Sequence, residues 1–291
     1  MIKVIKDKLK DIDPLSFSLI LSVFFILIHF QDIVSKNPII YIPFIILAAA
    51  GILFQETRKS KWYWLLLSGL YLIWVILNWQ NIDNHLYLWG YWILSIAVSK
   101  FSSKPEKTLQ YSAKFLIVFC MGFAVIQKLN PIFTSGDFFY YTLITDSRFF
   151  FIGPLINYNM IELIRENNGL LQELMSNTKS IILNPGPYIL HPISKFLTWY
   201  VIILEFLISI IFLLPKKYFY KWQHWLLFLF FTVYILLPIR GFAFTLIAMG
   251  VCLINKNDDQ LKALYILFIL YMFAFSDVVV DYFFNISNSV F

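Results

Sequence analysis

Apolar residues in this chain run in long blocks, at residues 15–30, 38–54, 62–79, 86–99, 111–127, 196–214, 225–237, 242–254 and 264–284. The hydrocarbon core of a bilayer is about 30 Å thick, and a helix rising about 1.5 Å per residue crosses it with roughly 17 to 25 apolar residues. The blocks therefore predict an all-α, polytopic membrane bundle of about nine transmembrane helices. The two shortest, 225–237 and 242–254, are separated by "PIRG". One helix through both would be about 45 Å long, more than the core requires. Pro238 and Gly241 favour a tight break, giving two short helices that turn back.

The polar gaps between the blocks orient them. Lys and Arg concentrate in cytoplasmic loops. They recur at Lys3, Lys6, Lys8 and Lys10, then Arg58, Lys59 and Lys61, then Lys100, Lys104 and Lys107, then Lys216, Lys217 and Lys221, and finally Lys256 and Lys262. The intervening short loops hold Lys36, no cation in "QNIDNH", and Arg240. This alternation predicts a cytoplasmic N-terminus, an outer "PIRG" turn and an outer C-terminal "NISNSVF". In the leading "MIKVIKDKLK", Ile2, Val4, Ile5 and Leu9 are interspersed with lysines, which suits a short helix lying on an anionic leaflet. No small-residue cleavage site follows the first block, so it reads as a span and not as a signal peptide.

Residues 128–195 form the one long outer segment of an otherwise single transmembrane domain over 1–291. Within it, "NMIELIRENNGLLQELM" places Met160, Ile164, Leu171 and Leu174 or Met175 near helical spacing, and Asn159 with Glu162 resembles a capping box. The pattern predicts an amphipathic interfacial helix. The following "NPGPYILHP" predicts a loop, with Pro192 starting the next helix.

Composition agrees with this class: of 291 residues, 60% are hydrophobic, 20% aromatic and 14% charged, far from an ordinary soluble domain. The net charge of +6 then reads as leaflet orientation, and no soluble basic face offers itself to nucleic acid. Cys120 and Cys252 lie inside apolar blocks without CxxC or His/Cys spacing, so they read as small hydrophobes. No Gly-rich phosphate loop, GxSxG elbow or HExxH pattern occurs.

Ionisable residues near membrane depth are costly and often functional, although those at helix ends can snorkel to water. The topology places His85, at the start of the fourth span, and Lys128, at the end of the fifth, on the same outer face. His29, Asp32, Asp83, Asp137, His191, Arg240, Asp277 and Asp281 fall toward that face too. Lys128 reads either as an interfacial anchor or as a functional amine, and His85, beside Asn84, Tyr87 and Trp89, either as part of an aromatic belt or as a site residue. Arg240 suits capping of the turn or a lipid headgroup, and Asp277 and Asp281 either reach the interface or bind a cation. Glu205, inside "WYVIILEFLI", must be either protonated or hydrogen-bonded to a neighbouring helix.

Two of these residues sit in a recognisable pattern. "DNHLYLWGYWILSIAVS" resembles the Asn-His-x-Tyr-Leu helix of the vitamin K-dependent gamma-carboxylase and its bacterial relatives, the horizontally transferred transmembrane (HTTM) domain family. "FLIVFCMGFAVIQKLNPIFTSGDFFYYTL" is similar to that family's helix ending in Lys-Leu-(Asn/Asp), and "WYVIILEFLISIIFLLP" and "GFAFTLIAMG" resemble its later spans. The likeness runs over about residues 79–254. It implies an integral protein of a bacterial cytoplasmic membrane whose Lys128 is the base that deprotonates reduced vitamin K or another quinol, with His85 in support and no metal. In the family's reaction oxygen then converts the quinol to a strong base, which removes a proton from glutamate before carbon dioxide adds. Gln127-Lys128 offers one lysine for this role, and an apolar residue near Phe231 stands where the family has a histidine.

The resemblance also implies an alternative. Stand-alone members of the domain family include a membrane partner in maturation of a small secreted toxin, and "GDFFYYTLITDSRFF" resembles the post-lysine helix there. The expected partners are thus the bilayer, a quinone, and either a secreted peptide or a separate soluble chain. No inverted repeat points to a transporter.

Overall fold

The structure is a computed structural model describing residues 10–28, 38–82, 84–150, 152–176, 180–236 and 240–274. Most of the N-terminal basic stretch, His29, Asp32, Asp83, Pro238, Asp277, Asp281 and "NISNSVF" lie outside the described residues. The described residues are helical and contain no strand. The long helices are α1 (Pro14–Ile28), α2 (Pro38–Leu53), α4 (Lys61–Asn78), α5 (Asn84–Ser99), α6 (Pro105–Lys128), α10 (Met160–Ser176), α11 (Leu190–Leu213), α12 (Lys216–Leu236), α13 (Arg240–Cys252) and α14 (Asp259–Ala274). Short helices α3 (Gln55–Lys59), α7 (Pro131–Thr134), α8 (Asp137–Thr145) and α9 (Gly153–Ile156) connect them, with 3₁₀ turns at Trp79–Asn81 and Ser147–Phe150. The described part of each apolar block of the sequence lies on a helix. Three of these helices, α4, α6 and α11, are long and apolar enough to cross a membrane.

The chain divides into two compact units. The first comprises residues 1–120, 211–224 and 239–273, the second 121–210, 225–238 and 274–291. In the first unit α1 packs most extensively on α13, with Ser18 of α1 meeting Ala248 of α13. Ser18 Oγ, fully buried, donates to Ala248 O at 2.6 Å, and Ser22 Oγ to Ser18 O at 2.7 Å. Onto this serine pair close two indoles of α5: Trp89 Nε1 donates to Ser22 O at 3.1 Å and Trp92 Nε1 to Ser22 Oγ at 2.7 Å. Trp89 also stacks on Phe25 with centroids 5.0 Å apart, and both indoles are buried. In an apolar medium each N–H needs an acceptor, and the serines supply it. Trp89 is therefore part of the core and not of an aromatic belt.

Helix α5 lies on α4 through Gly90, whose added Cβ would meet the Tyr71 ring. That ring stands edge-on to Trp89, and its hydroxyl donates to Leu86 O at 2.5 Å. Arg58 on α3 turns its buried guanidinium onto the end of α2, donating to Gly51 O and, at 2.9 Å, to Ile52 O. A cation there complements the free carbonyls of a helix C-terminus. Lys216 does the same for α13, donating to Leu253 O at 2.8 Å. Burial pushes its proton affinity down, opposed by Cys252 and Glu106. Cys120 is half-buried and Cys252 buried.

In the second unit α8, α9 and α10 pack together as a small subassembly. The buried stripe of α10 is Met160, Leu163, Ile164 and Asn167, while Leu174 is exposed. Its start is set by an Asx turn in which Asn159 N–H donates to Asn157 Oδ1 at 2.9 Å. Helix α11 begins at Leu190, two residues before the expected Pro192, which falls inside the first turn where a proline N–H is not needed.

Candidate functional site

Lys128 is the last residue of α6. Its Nζ lies 2.7 Å from Glu205 Oε1 and 2.8 Å from Oε2, the two side chains being 18% and 6% exposed. Glu205 thus takes the second of the two states expected of it, bonded to a neighbouring helix. The Phe133 ring centroid lies 5.9 Å from the same Nζ and stacks on Phe138 at 4.3 Å. Leu129 and Ile132 stand exposed beside it.

The pair falls on the interior of α11. Glu205 follows Leu190 by fifteen residues and precedes Leu213 by eight, or about 22 Å and 12 Å along the axis. Gly136, φ 95°, packs so closely on α11 that an added Cβ would lie 3.1 Å from Lys195 Cα. Lys195 precedes Glu205 by ten residues, so the chain between Lys128 and Gly136 runs beside α11 for about 15 Å.

That stretch is irregular, and its backbone groups must be satisfied locally. Asn130 does this at two helix ends at once. Its Nδ2 donates to Gln127 O, closing α6, at 2.7 Å, and its Oδ1 accepts from Phe133 N–H, opening α7, at 3.1 Å. Thr134 Oγ1 donates to Asn130 O at 2.9 Å, and Ser135 Oγ donates to Asp137 Oδ2 at 2.7 Å. "Lys-Leu-Asn-Pro" is in physical terms an ion-paired lysine followed by a two-sided cap.

His85 lies in the first turn of α5, half-buried, and belongs to the first unit, whereas Lys128 belongs to the second. Tyr87, two residues on, donates to Trp79 O at 3.0 Å.

Two polar centres escaped the sequence reading. Asn167, fully buried on α10, donates to Ile144 O and Asn184 O at 3.0 Å each and accepts from Asn184 N–H at 2.8 Å. It ties α8, α10 and the loop before α11 together, with Tyr140 donating to Pro185 O at 2.7 Å and stacking on His191 at 4.3 Å. Burial raises the Tyr140 phenol above its ordinary range. Beside this hub a cavity of about 360 Å³ is lined by Asn157, Asn159, Glu162, Glu166, Asn184 and Pro187 among others. The second centre is His224, buried on α12, whose Nδ1 is 3.0 Å from the hydroxyl of buried Tyr265 on α14. Gly250 leaves room for that hydroxyl. A histidine preceding an apolar block and a tyrosine inside another carry no signal that they meet. Among the described residues no group of three or more His, Cys, Asp or Glu is placed to hold a metal ion.

Compared with protein-family models, with curated proteins and with solved structures, the chain matches none of them.

Proposed function

We propose that the chain is a nine-span integral protein of a bacterial cytoplasmic membrane, N-terminus inside and residues 128–195 outside, related to the HTTM domain of the vitamin K-dependent gamma-carboxylases. In this reading it is a quinol-dependent enzyme in which Lys128 takes a hydroxyl proton from reduced vitamin K or another quinol and His85 supports the reaction. The observation that carries it is the seat of Lys128, an amine among apolar helices with 18% of its side chain still accessible. The surroundings suit such a ligand. The stacked Phe133 and Phe138 offer an aromatic face, and exposed Leu129 and Ile132 border a route from the lipid. The quinol supplies the electrons that reduce oxygen, while the chain's own residues bind its ring and hold or move its proton.

The test is quinol epoxidation by purified protein supplied with reduced vitamin K and oxygen. Positioned proton transfer contributes about 10²–10⁴-fold. Lys128→Ala is expected to lower the rate by that order and His85→Ala by less. Equal rates for wild type and Lys128→Ala would overturn the reading.

A second reading draws on the cavity beside α10: the chain is a non-catalytic partner in maturation or export of, or immunity to, a small secreted peptide. The cavity's two glutamates and three asparagines offer acceptors over an apolar floor of Met160 and Leu163, which suits peptide side chains. Under this reading Glu162→Ala/Glu166→Ala abolishes peptide maturation or protection in cells while Lys128→Ala does not.

A further inference from the structure

A lone ammonium or carboxylate among apolar helices is expensive, and the cost of two is offset only when they are paired and fully bonded. Lys128 and Glu205 meet this condition through both carboxylate oxygens, at 2.7 and 2.8 Å. Moving one proton from Nζ to either oxygen turns the ion pair into a neutral amine and a neutral acid. Net charge is unchanged, so the apolar surroundings resist this far less than they resist creating an isolated charge.

Accessibility gives the pair a direction. Lys128 is 18% exposed and Glu205 6%, so an incoming molecule meets the amine, with the carboxylate behind it. Asn130 fixes the end of α6 through Gln127 O, and Phe133 closes one side of Nζ. The charge that acts on the Glu205 carboxylate is that of Lys128. Other titratable groups on the surrounding elements of the unit are His191, Lys195 and Tyr200 on α11, Asp137, Tyr140 and Tyr141 on α8, and Tyr234 on α12.

We propose that Lys128 and Glu205 form one proton-exchanging unit, in which Glu205 accepts the Nζ proton so that Lys128 can take a proton from a hydroxyl of an apolar ligand. In the first step an Nζ–H bond breaks and an O–H bond forms on Glu205. In the second the ligand's O–H bond breaks and a new Nζ–H bond forms, leaving a ligand oxyanion beside an ammonium. No electrons are exchanged. The identity of the ligand rests on the quinol reading, whereas the exchange within the pair does not. Glu205 acts through Lys128 and is a positioning residue.

The experiment needs no quinol. Full-length protein in nanodiscs is acetylated with isotope-labelled acetic anhydride, and modification of Lys128 is followed by mass spectrometry across the neutral pH range, with exposed Lys104 as internal reference. While the pair shares one proton its neutral-amine fraction is constant, so Lys128 labelling in the wild type is flat with pH while that of Lys104 rises about tenfold per unit. Glu205→Gln removes the proton acceptor, and labelling is expected to rise about tenfold per pH unit until it levels off. Glu205→Asp restores the flat profile. Superimposable wild-type and Glu205→Gln profiles would overturn the proposal. Should Glu205→Gln fail to fold, infrared difference spectra of the wild type decide. At neutral pH a carboxylic-acid band must be present that is missing in Lys128→Gln/Glu205→Gln, and its absence from the wild type overturns the proposal as well. Loss of quinol turnover with an intact flat profile would refute the quinol reading alone.

Discussion

Asn130 shows how one amide can make an irregular stretch tolerable beside an apolar helix. It donates to Gln127 O at 2.7 Å and accepts from Phe133 N–H at 3.1 Å, so one side chain closes α6 and opens α7. Removing a polar N-cap costs about 0.5–2 kcal/mol, and a lost hydrogen bond to a carbonyl about 1 kcal/mol. Asn130→Ala should therefore lower stability by about 1–3 kcal/mol, read as a fall in the unfolding midpoint in detergent. Asn130→Ser keeps an acceptor for Phe133 N–H and should recover about half of the loss. An Asn130→Ala protein as stable as wild type would show that the backbone there finds other partners. At this scale the sequence was legible in part. "QKLNP" marked a helix end, but nothing in it pointed to Glu205, 77 residues away. Asn167 was less legible still, because a buried asparagine inside "RENNG" reads as polar surface until Ile144 and Asn184 are seen to surround it.

Elements were more legible than their contacts. A block of apolar residues declares a helix, so the described part of each block was found on one, with ends shifted by turns such as Pro192 that continue a helix instead of starting it. What hydrophobicity does not declare is which face packs, since in a nearly uniform apolar helix every face looks alike. Trp89 and Trp92 could face lipid or core, and only the acceptors on Ser22 decide. Glycine gives a test of the packed face. Gly90 on α5 has the Tyr71 ring where a Cβ would go, whereas Gly69 on α4 has nothing within 4 Å. Gly90→Ala is expected to overpack the α4–α5 contact and destabilise by about 1–3 kcal/mol. Gly69→Ala should be neutral or stabilising by up to about 1 kcal/mol, because alanine is the better helix former. Unfolding midpoints of the two variants side by side check this, and equal effects would mean that α4 and α5 do not approach through Gly90.

For the whole molecule, the decisive property is which way each loop faces. From the lysine alternation residues 100–107 are expected in the cytoplasm and residues 128–195 outside, and the quinol and peptide readings both need the latter assignment. Three helices long and apolar enough to cross a membrane bound these regions: α4 before the first, α6 between them and α11 after the second. Because α6 connects Pro105 to Lys128 as one continuous helix, the two regions lie on opposite sides if α6 spans. Ser103 and Ser180 are both exposed and make suitable reporters. With Cys120 and Cys252 replaced by alanine, Ser180→Cys in whole cells should react with a membrane-impermeant maleimide. Ser103→Cys should react only after the membrane is opened. Both reacting from outside, or both only after opening, would mean that α6 does not cross. The reverse pattern would keep the span but invert the molecule, moving the cavity beside α10 to the cytoplasm and removing the ground for a secreted partner. The Lys128–Glu205 pair would survive that inversion, because it lies about 22 Å from one end of α11 and about 12 Å from the other whichever side α11 enters.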